Sequence, residues 1–242
     1  MNKVLENQNI VEIARDYSTP ENAKKIVSKM NVALIAGIAA AGKDSIIRKL
    51  LADERYARII TTIPRAPRSG EINGVNYYFI NDEIVRENLI NEKYFEAKVV
   101  HGRVYGTTIA ELQRISHENK VALSDVDVQG VDEYHKILGN NLRAIFIIPP
   151  DFSTWQERWK NRGDMLDSDE VNRRMLSAKT ELDFALKADY YHFIVNDDLA
   201  RAVEIAANLI EKNADFDYED NSARFVAKKL RDDISAELEL NR

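Results

Sequence analysis

Val32-Ala33-Leu34-Ile35-Ala36-Gly37-Ile38-Ala39-Ala40-Ala41-Gly42-Lys43-Asp44-Ser45 opens on an unbroken apolar run and closes on a glycine, a lysine and two oxygen-bearing side chains. A run apolar at every position suits a strand buried on both faces, as in a parallel sheet covered by helices. Ile46, Ile47, Leu50 and Leu51 then recur at helical spacing over Ser45–Ala52, which makes Gly37–Asp44 the turn between strand and helix. Gly37 to Lys43 spells GxxxxGK in that context, where backbone N–H groups and a helix N-terminus cradle phosphates. Gly37, Ala41, Gly42, Lys43, Asp44 and Ser45 are therefore candidate triphosphate-binding residues, with Lys43 reaching the β- and γ-phosphates. The position after the lysine usually supplies the Ser/Thr hydroxyl that ligates Mg²⁺, and here it is Asp44. The metal is held by Asp44, by Ser45 through a shifted turn, or through water, and the residues leave the three open.

Outward from this unit the alternation continues. Strand-like runs fall at Arg58–Thr61, Lys120–Leu123, Leu142–Ile148 and His192–Val195, and helical ones at Val131–Leu138, Phe152–Asn161, Asp169–Lys187 and Ala200–Lys212. That order predicts an α/β fold, a doubly wound parallel sheet whose ligands bind beyond the carboxyl ends of its strands. Pro64–Asn119 is too long for a plain crossover and carries the alternating run Val75–Asn81 and the aromatic pair Tyr94 and Phe95, which predicts an inserted subdomain. Arg162–Glu170 is polar and glycine-containing between two helices, the pattern of a mobile lid. The expected organisation is an N-terminal extension (1–30), a body (31–212) with an insertion over 64–119 and a lid over 162–170, and a helical C-terminal extension (213–242). In the last, Phe225, Val226, Leu230, Ile234 and Leu238 have helical spacing. The extensions either pack on the body or form a contact between two copies of the chain.

Composition narrows the partners. The chain has 242 residues, of which 45% are apolar and 31% charged, an ordinary globular balance. Its 34 basic against 40 acidic residues leave 34 − 40 = −6, which disfavours a nucleic-acid binder driven by overall positive charge. Cysteine is absent, which excludes disulfides, thiolate metal sites and cysteine nucleophiles and fits a reducing cytosol. No apolar run approaches the roughly 20 residues that cross a bilayer, and Met1–Arg15 lacks the apolar segment of a secretory signal. A cytoplasmic protein that spans no membrane is expected.

Arg65-Ala66-Pro67-Arg68-Ser69-Gly70-Glu71-Ile72-Asn73-Gly74-Val75-Asn76-Tyr77 sets two guanidinium groups and a phenol around turn glycines, a candidate anion clamp. Here the chain resembles the guanylate kinase family, whose acceptor loop reads R-x-P-R-x-G-E-x-x-G-x-x-Y; every fixed position is met. Further segments follow in order. Tyr94-Phe95-Glu96 resembles the family's F-x-E, Gly102–Thr108 its G-x-x-Y-G-[ST]-[ST], and Asp125–Gly130 its acidic-x-D-x-Q-G strand end. Arg158, Arg162-Gly163 and Arg174 are similar to its lid arginines, and Val195-Asn196-Asp197-Asp198-Leu199 to its V-N-D-D-L beside the nucleotide base. The likeness covers about Val32–Leu209.

The resemblance implies a P-loop kinase that transfers the γ-phosphoryl of MgATP to GMP, and to dGMP, giving GDP and ADP. It implies that Thr61, Arg65, Arg68, Tyr77 and Tyr105 hold the GMP phosphate, that Glu96, Thr107 and Asp127 read the guanine, and that Asn196 lies at the ATP base. Lys43, Arg158, Arg162 and Arg174 would spread over the transferred phosphoryl, and Mg²⁺ accompanies ATP. The base assignment has an independent chemical check. Guanine offers N1–H and N2–H₂ as donors and O6 as acceptor, which suits two carboxylates and a hydroxyl, whereas adenine would leave a carboxylate facing a lone pair. A GMP phosphate is already an anionic nucleophile, so no catalytic histidine is required.

Three features depart from the family pattern. Ile38, Ala39 and Ala40 stand where it has Pro-Ser-Gly, Asp44 where it has the Mg²⁺-ligating hydroxyl, and Ile63-Pro64 where it has Thr-Thr. The lid carries one extra residue near Met165. Two rival readings stand beside the enzyme. One is a catalytically weakened module of the same fold that binds a nucleotide or a protein partner, against which Lys43 and the lid arginines argue. The other is a kinase for a different nucleoside monophosphate, against which Glu96 with Asp127 argues.

Overall fold

A computed structural model of the chain describes residues 9–100, 102–161, 168–211 and 217–240. In chain order its strands are β1 (Val32–Gly37), β2 (Tyr56–Arg58), β3 (Thr62–Ile63), β4 (Tyr78–Phe79), β5 (Tyr94–Val100), β6 (Arg103–Thr108), β7 (Val121–Asp125), β8 (Leu142–Ile148) and β9 (Tyr191–Val195). Its helices are α1 (Ile10–Arg15), α2 (Glu21–Val27), α3 (Lys43–Leu50), α4 (Asp82–Ile90), α5 (Ile109–His117), α6 (Val128–Leu138), α7 (Phe152–Lys160), α8 (Ser168–Lys187), α9 (Leu199–Glu211) and α10 (Asp217–Leu240). The described residues form two compact units, one from those within 1–30 and 57–122, the other from those within 31–56 and 123–242.

A five-stranded sheet runs in the order β2-β7-β1-β8-β9. The first strand in sequence lies at its centre, and β1, β8 and β9 pair in parallel, from Val32↔Leu142 to Gly37↔Ile147 and from Ala144↔Tyr191 to Ile148↔Val195. Every residue of β1 is buried, as the unbroken apolar run requires of a strand covered on both faces. One group of helices, α3 with α9, and another, α6 and α8 with α10, supply the cover. The predicted doubly wound parallel α/β architecture is the observed one.

The C-terminal extension lies against its own chain. α10 turns Ala223, Ala227, Leu230 and Ile234 inward and packs on α8 and β9. Arg231 pairs with Asp183 at 2.9 Å, and Asp220 accepts the Phe193 N–H at 2.6 Å. Phe225, one of the residues at apolar helical spacing, is 71% exposed. The buried Ala223 and Ala227 are four apart on one face of the helix, and the phenylalanine two residues from each falls on the opposite side.

In the other unit a second sheet runs β4-β3-β6-β5. α1 packs on β5 and α4, and α2 on α5. Two expectations shift here, because backbone donors find partners outside a ladder. The strand expected at Arg58–Thr61 is Tyr56–Arg58, because the Ile60 N–H goes to the Glu111 carboxylate at 3.0 Å rather than to a ladder. The alternating run Val75–Asn81 yields only Tyr78–Phe79 as strand, since the N–H groups of Val75 and Asn76 turn back to the Ile72 carbonyl at 3.2 and 3.0 Å. In the sheet-bearing unit α8 starts at Ser168, inside the stretch expected to be lid, and 162–167 lie outside the described residues. Among the described residues no helix is long and apolar enough to cross a membrane.

Candidate active site

At the carboxyl end of β1 the backbone has no room for side chains. A Cβ on Gly37 would stand 2.2 Å from the Ile147 carbonyl of β8, and one on Gly42 2.2 Å from the Asn196 amide. Gly42 begins α3 in the left-handed region, at φ 95, and Ala40 shares that region at φ 63. The turn between them is held from two sides. The Trp155 indole N–H, on α7, donates to the Ala39 carbonyl at 2.7 Å, and Asn196 Nδ2, just beyond β9, donates to the Ala41 carbonyl at 2.8 Å. Lys43 Nζ turns back onto the loop, donating to the carbonyls of Gly37 and, at 3.1 Å, of Ile38. Asp44 is exposed and Ser45 half-buried in the first turn of α3.

Cationic groups gather on the same unit. Arg158 donates through Nη2 to the Asn196 carbonyl at 2.8 Å, while its Nη1 is buried with no hydrogen-bond partner among the described residues. An unused guanidinium donor that has already left water favours an anionic acceptor. Arg174 pairs with Glu170 at 2.9 Å and lies 5.9 Å over the Trp159 ring, and Arg173 reaches the same carboxylate at 2.8 Å. Both Arg173 and Arg174 thus meet the Glu170 carboxylate, three and four residues before them on α8. Arg162 lies outside the described residues. Asp127 caps α6, accepting the Gly130 N–H at 2.6 Å. Glu181 on α8 has its carboxyl pKa raised, chiefly by burial, against the opposing pull of Lys43 and the Ser177 hydroxyl.

The remaining candidates for the acceptor lie on the other unit. Arg65 is gripped by Glu71 through Nη1 at 2.5 Å and Nη2 at 2.7 Å, and its guanidinium lies 5.5 Å over Tyr77 and 5.2 Å over Phe79. Glu71 also accepts the Arg68 N–H at 2.6 Å; these bonds pull its pKa down to about 2, the Arg65 side chain contributing most. The Arg68 side chain is exposed. Tyr77 stands edge-on to Tyr105 at 6.1 Å. Thr61 is half-buried and its carbonyl accepts the Tyr78 N–H at 2.9 Å. The Thr107 hydroxyl donates to Glu96 Oε1 at 3.0 Å across β6 and β5. A bulge between Tyr94 and Glu96 makes that possible: Tyr94 pairs with Thr108, and without the extra residue Glu96 would face Gly106 instead of Thr107.

Four residues that hold this geometry were not legible as such. Trp155 reads in sequence as an apolar helix position, but a buried indole N–H needs an acceptor, and the phosphate loop supplies it. Glu111 has a side chain only 1% exposed and satisfies the Ile60 N–H, the Tyr78 hydroxyl at 3.1 Å and Arg114 at 2.8 Å. Thr62 and Tyr94 are joined by a buried hydrogen bond of 3.0 Å behind the acceptor residues. The one available signal was Thr108-Ile109-Ala110-Glu111 at a helix start, where Thr108 does cap α5 at 3.2 Å. Among the described residues no three His, Asp or Glu side chains come together as a metal cluster.

Comparison with known proteins bears on these features. The family model described as guanylate kinase matches residues 29–213. Guanylate kinase 1 of Oryza sativa subsp. japonica is 32% identical over 198 residues, 80% of this chain and 50% of the relative, so the chain spans half that relative's length. The guanylate kinase of Neisseria meningitidis serogroup A is 33% identical over 184 residues, 75% of this chain and 87% of the relative. That of Schizosaccharomyces pombe is 29% identical over 183 residues, 74% of this chain and 90% of the relative. In fold, the chain is similar to the crystal structure of guanylate kinase from Anaplasma phagocytophilum, with a TM-score of 0.56 at 21% identity over 83% of this chain and 95% of the other. The chain belongs to the guanylate kinase family.

Proposed function

We propose that this protein transfers the γ-phosphoryl group of MgATP to GMP and dGMP, giving ADP and the nucleoside diphosphate. By family it is an ATP-dependent nucleoside monophosphate kinase, a transferase. The observation that carries the choice of guanine is the Glu96 carboxylate, an acceptor for N1–H and N2–H₂, with the Thr107 hydroxyl 3.0 Å away; that hydroxyl gives its one proton to Glu96 in this structure and would turn it to O6 when guanine takes the carboxylate. The resemblance to the family adds Asp127, which lies on the other unit, as a second carboxylate for guanine. Asp127 keeps one oxygen on the α6 cap and has the other for an exocyclic amine.

Arg65, Arg68, Tyr77, Tyr105 and Thr61 hold the GMP phosphate, whose oxygen attacks the γ-phosphorus and releases ADP. The ion pair with Glu71 keeps the Arg65 fork in one orientation before the phosphate arrives. Lys43 exchanges its loop carbonyls for phosphate oxygens, and Arg158, Arg162 and Arg174 offset the repulsion between two polyanions. Closure of the lid over Arg162–Glu170 excludes water. Asp44 and Ser45 are oxygen donors, the class that Mg²⁺ takes, and both sit in the first turn of α3, so they would hold the ion. When bound, Mg²⁺ neutralises charge on the β- and γ-phosphates. We read the enzyme as cytoplasmic, which its lack of cysteine supports.

Coupled ADP release with MgATP against GMP, dGMP, AMP, CMP and UMP tests the proposal. GMP and dGMP alone are expected to give signal above a no-acceptor control; release with AMP equal to that with GMP overturns the guanine assignment. A second reading, a weakened binding module, is favoured by Asp44 in the usual metal-ligand position. GMP binding by calorimetry without turnover would select it.

A further inference from the structure

α1 precedes the family match, yet it is part of a core shared with β5 and β6, the strands that carry Glu96, Tyr105 and Thr107. Ile13 and Ala14 of α1 are buried in one cluster with Val85, Leu89, Tyr94 and Val104, with Tyr17 packed against it. From there a directed chain of hydrogen bonds runs inward. The Tyr17 hydroxyl donates to the Tyr94 carbonyl at 2.6 Å, with the two rings edge to face at 6.3 Å. Thr62 donates its one hydroxyl proton to the Gly106 carbonyl at 3.0 Å, so the 3.0 Å bond between Tyr94 and Thr62 has Tyr94 as donor. The Tyr94 ring fills the space over Gly106, where a Cβ would meet it at 2.4 Å.

Each link lies one or two residues from a proposed acceptor contact: Thr62 beside Thr61, Gly106 between Tyr105 and Thr107, and Tyr94 two before Glu96. The Tyr94 carbonyl also lies at the bulge that sets Glu96 opposite Thr107, where the regular ladder is interrupted and an outside donor is useful. We infer that Tyr17, and through it the N-terminal segment, is a positioning element for the acceptor: it fixes the bulged end of β5 and so the register of Glu96 and Thr107. Burial raises the Tyr17 pKa to about 12, so the hydroxyl remains a donor across the working pH range.

The inference rests on the reading of Glu96 and Thr107 as the base site, and its test has an arm that does not. In Tyr17→Phe the ring contact stays and only the donor is lost. Steady-state kinetics of this variant should show KM for GMP raised about fivefold to tenfold with kcat and KM for ATP within twofold, the span of one lost hydrogen bond of about 1–1.5 kcal/mol. Amide hydrogen exchange, measured without ligand, should quicken over Tyr94–Thr108 and not over β8 or β9. A lower melting temperature with both KM for GMP and that exchange unchanged would make Tyr17 a packing residue and overturn the inference. If wild-type protein released no ADP with GMP, the proposed activity would fail; quickened exchange confined to Tyr94–Thr108 would still support the positioning role, and unchanged exchange would overturn it.

Discussion

Ala40 carries the conformational cost of the altered phosphate loop. At φ 63 a Cβ meets the following carbonyl, which costs roughly 1–2 kcal/mol, and the residue is 6% exposed. Glycine removes that clash but loses about 0.4–1 kcal/mol through the unfolded chain. Ala40→Gly should therefore stabilise by about 0.5 kcal/mol, a rise of about 1–2 °C in melting temperature; a fall instead would mean the buried methyl outweighs the strain. At Glu96 the energies are electrostatic. Glu96→Gln turns an acceptor into a partial donor against N1–H and should lower kcat/KM for GMP by about 10²-fold, read by steady-state kinetics. Asp44→Ser restores the usual hydroxyl, and activity with Mg²⁺ is expected to be kept or to rise. Loss of activity would identify Asp44 as an adapted metal ligand.

At the scale of an element, the acceptor loop Arg65–Tyr77 leaves Ile72 and Val75 exposed, and polar groups shape it: Asn76 accepts the Ile72 N–H at 2.9 Å, and a carboxylate ties the end that carries both arginines. Glu71 bridges the Arg65 side chain and the Arg68 backbone, which pulls its carboxyl down to about 2, well below the ordinary 4.5 of a glutamate. A carboxyl with a lowered folded pKa contributes stability that is fully present above about 4.5 and is lost as pH falls toward about 2. The loop should keep its conformation at pH 5 and lose it progressively through that window, followed by the Glu71 carboxyl resonance in a pH titration. A midpoint near 4.5 would mean the ion pair is not formed in solution. The phosphate loop solves the same problem with neutral groups, Trp155 and Asn196, so its shape should not vary over this range.

At the scale of the whole molecule, segments outside the family match build part of both units: α1 enters the core of one, and α10 lies along α8 and β9 in the other. Leu230 of α10 is 1% exposed, and Leu230→Ala should cost about 2–5 kcal/mol, a fall of roughly 6–15 °C in melting temperature. Phe225→Ser, on the outward face, should stay within about 0.5 kcal/mol. Phe225 and Leu240 are the exposed large apolar side chains of α10; should two copies meet through this extension, sedimentation of Phe225→Ser would show a dimer lost without a loss of stability.

The strand, turn and helix from Val32 to Leu50 were legible because their causes are local: an all-apolar run, two glycines where no Cβ fits, and a 3.6-residue period. Leu142–Ile148 was read to the residue for the same reason. The candidate site residues were legible because their spacing in sequence resembles a known motif, which names side chains and not the contacts that aim them. Those contacts are long-range. The bulge that turns Glu96 toward Thr107, the indole under Ala39, the carboxylate of Glu111 that takes the Ile60 N–H, and the Tyr17 bond to Tyr94 join positions from 11 to 116 residues apart. Periodicity carries no information at that range; only the folded chain, by burying polar groups that must then find partners, fixes which of them meet.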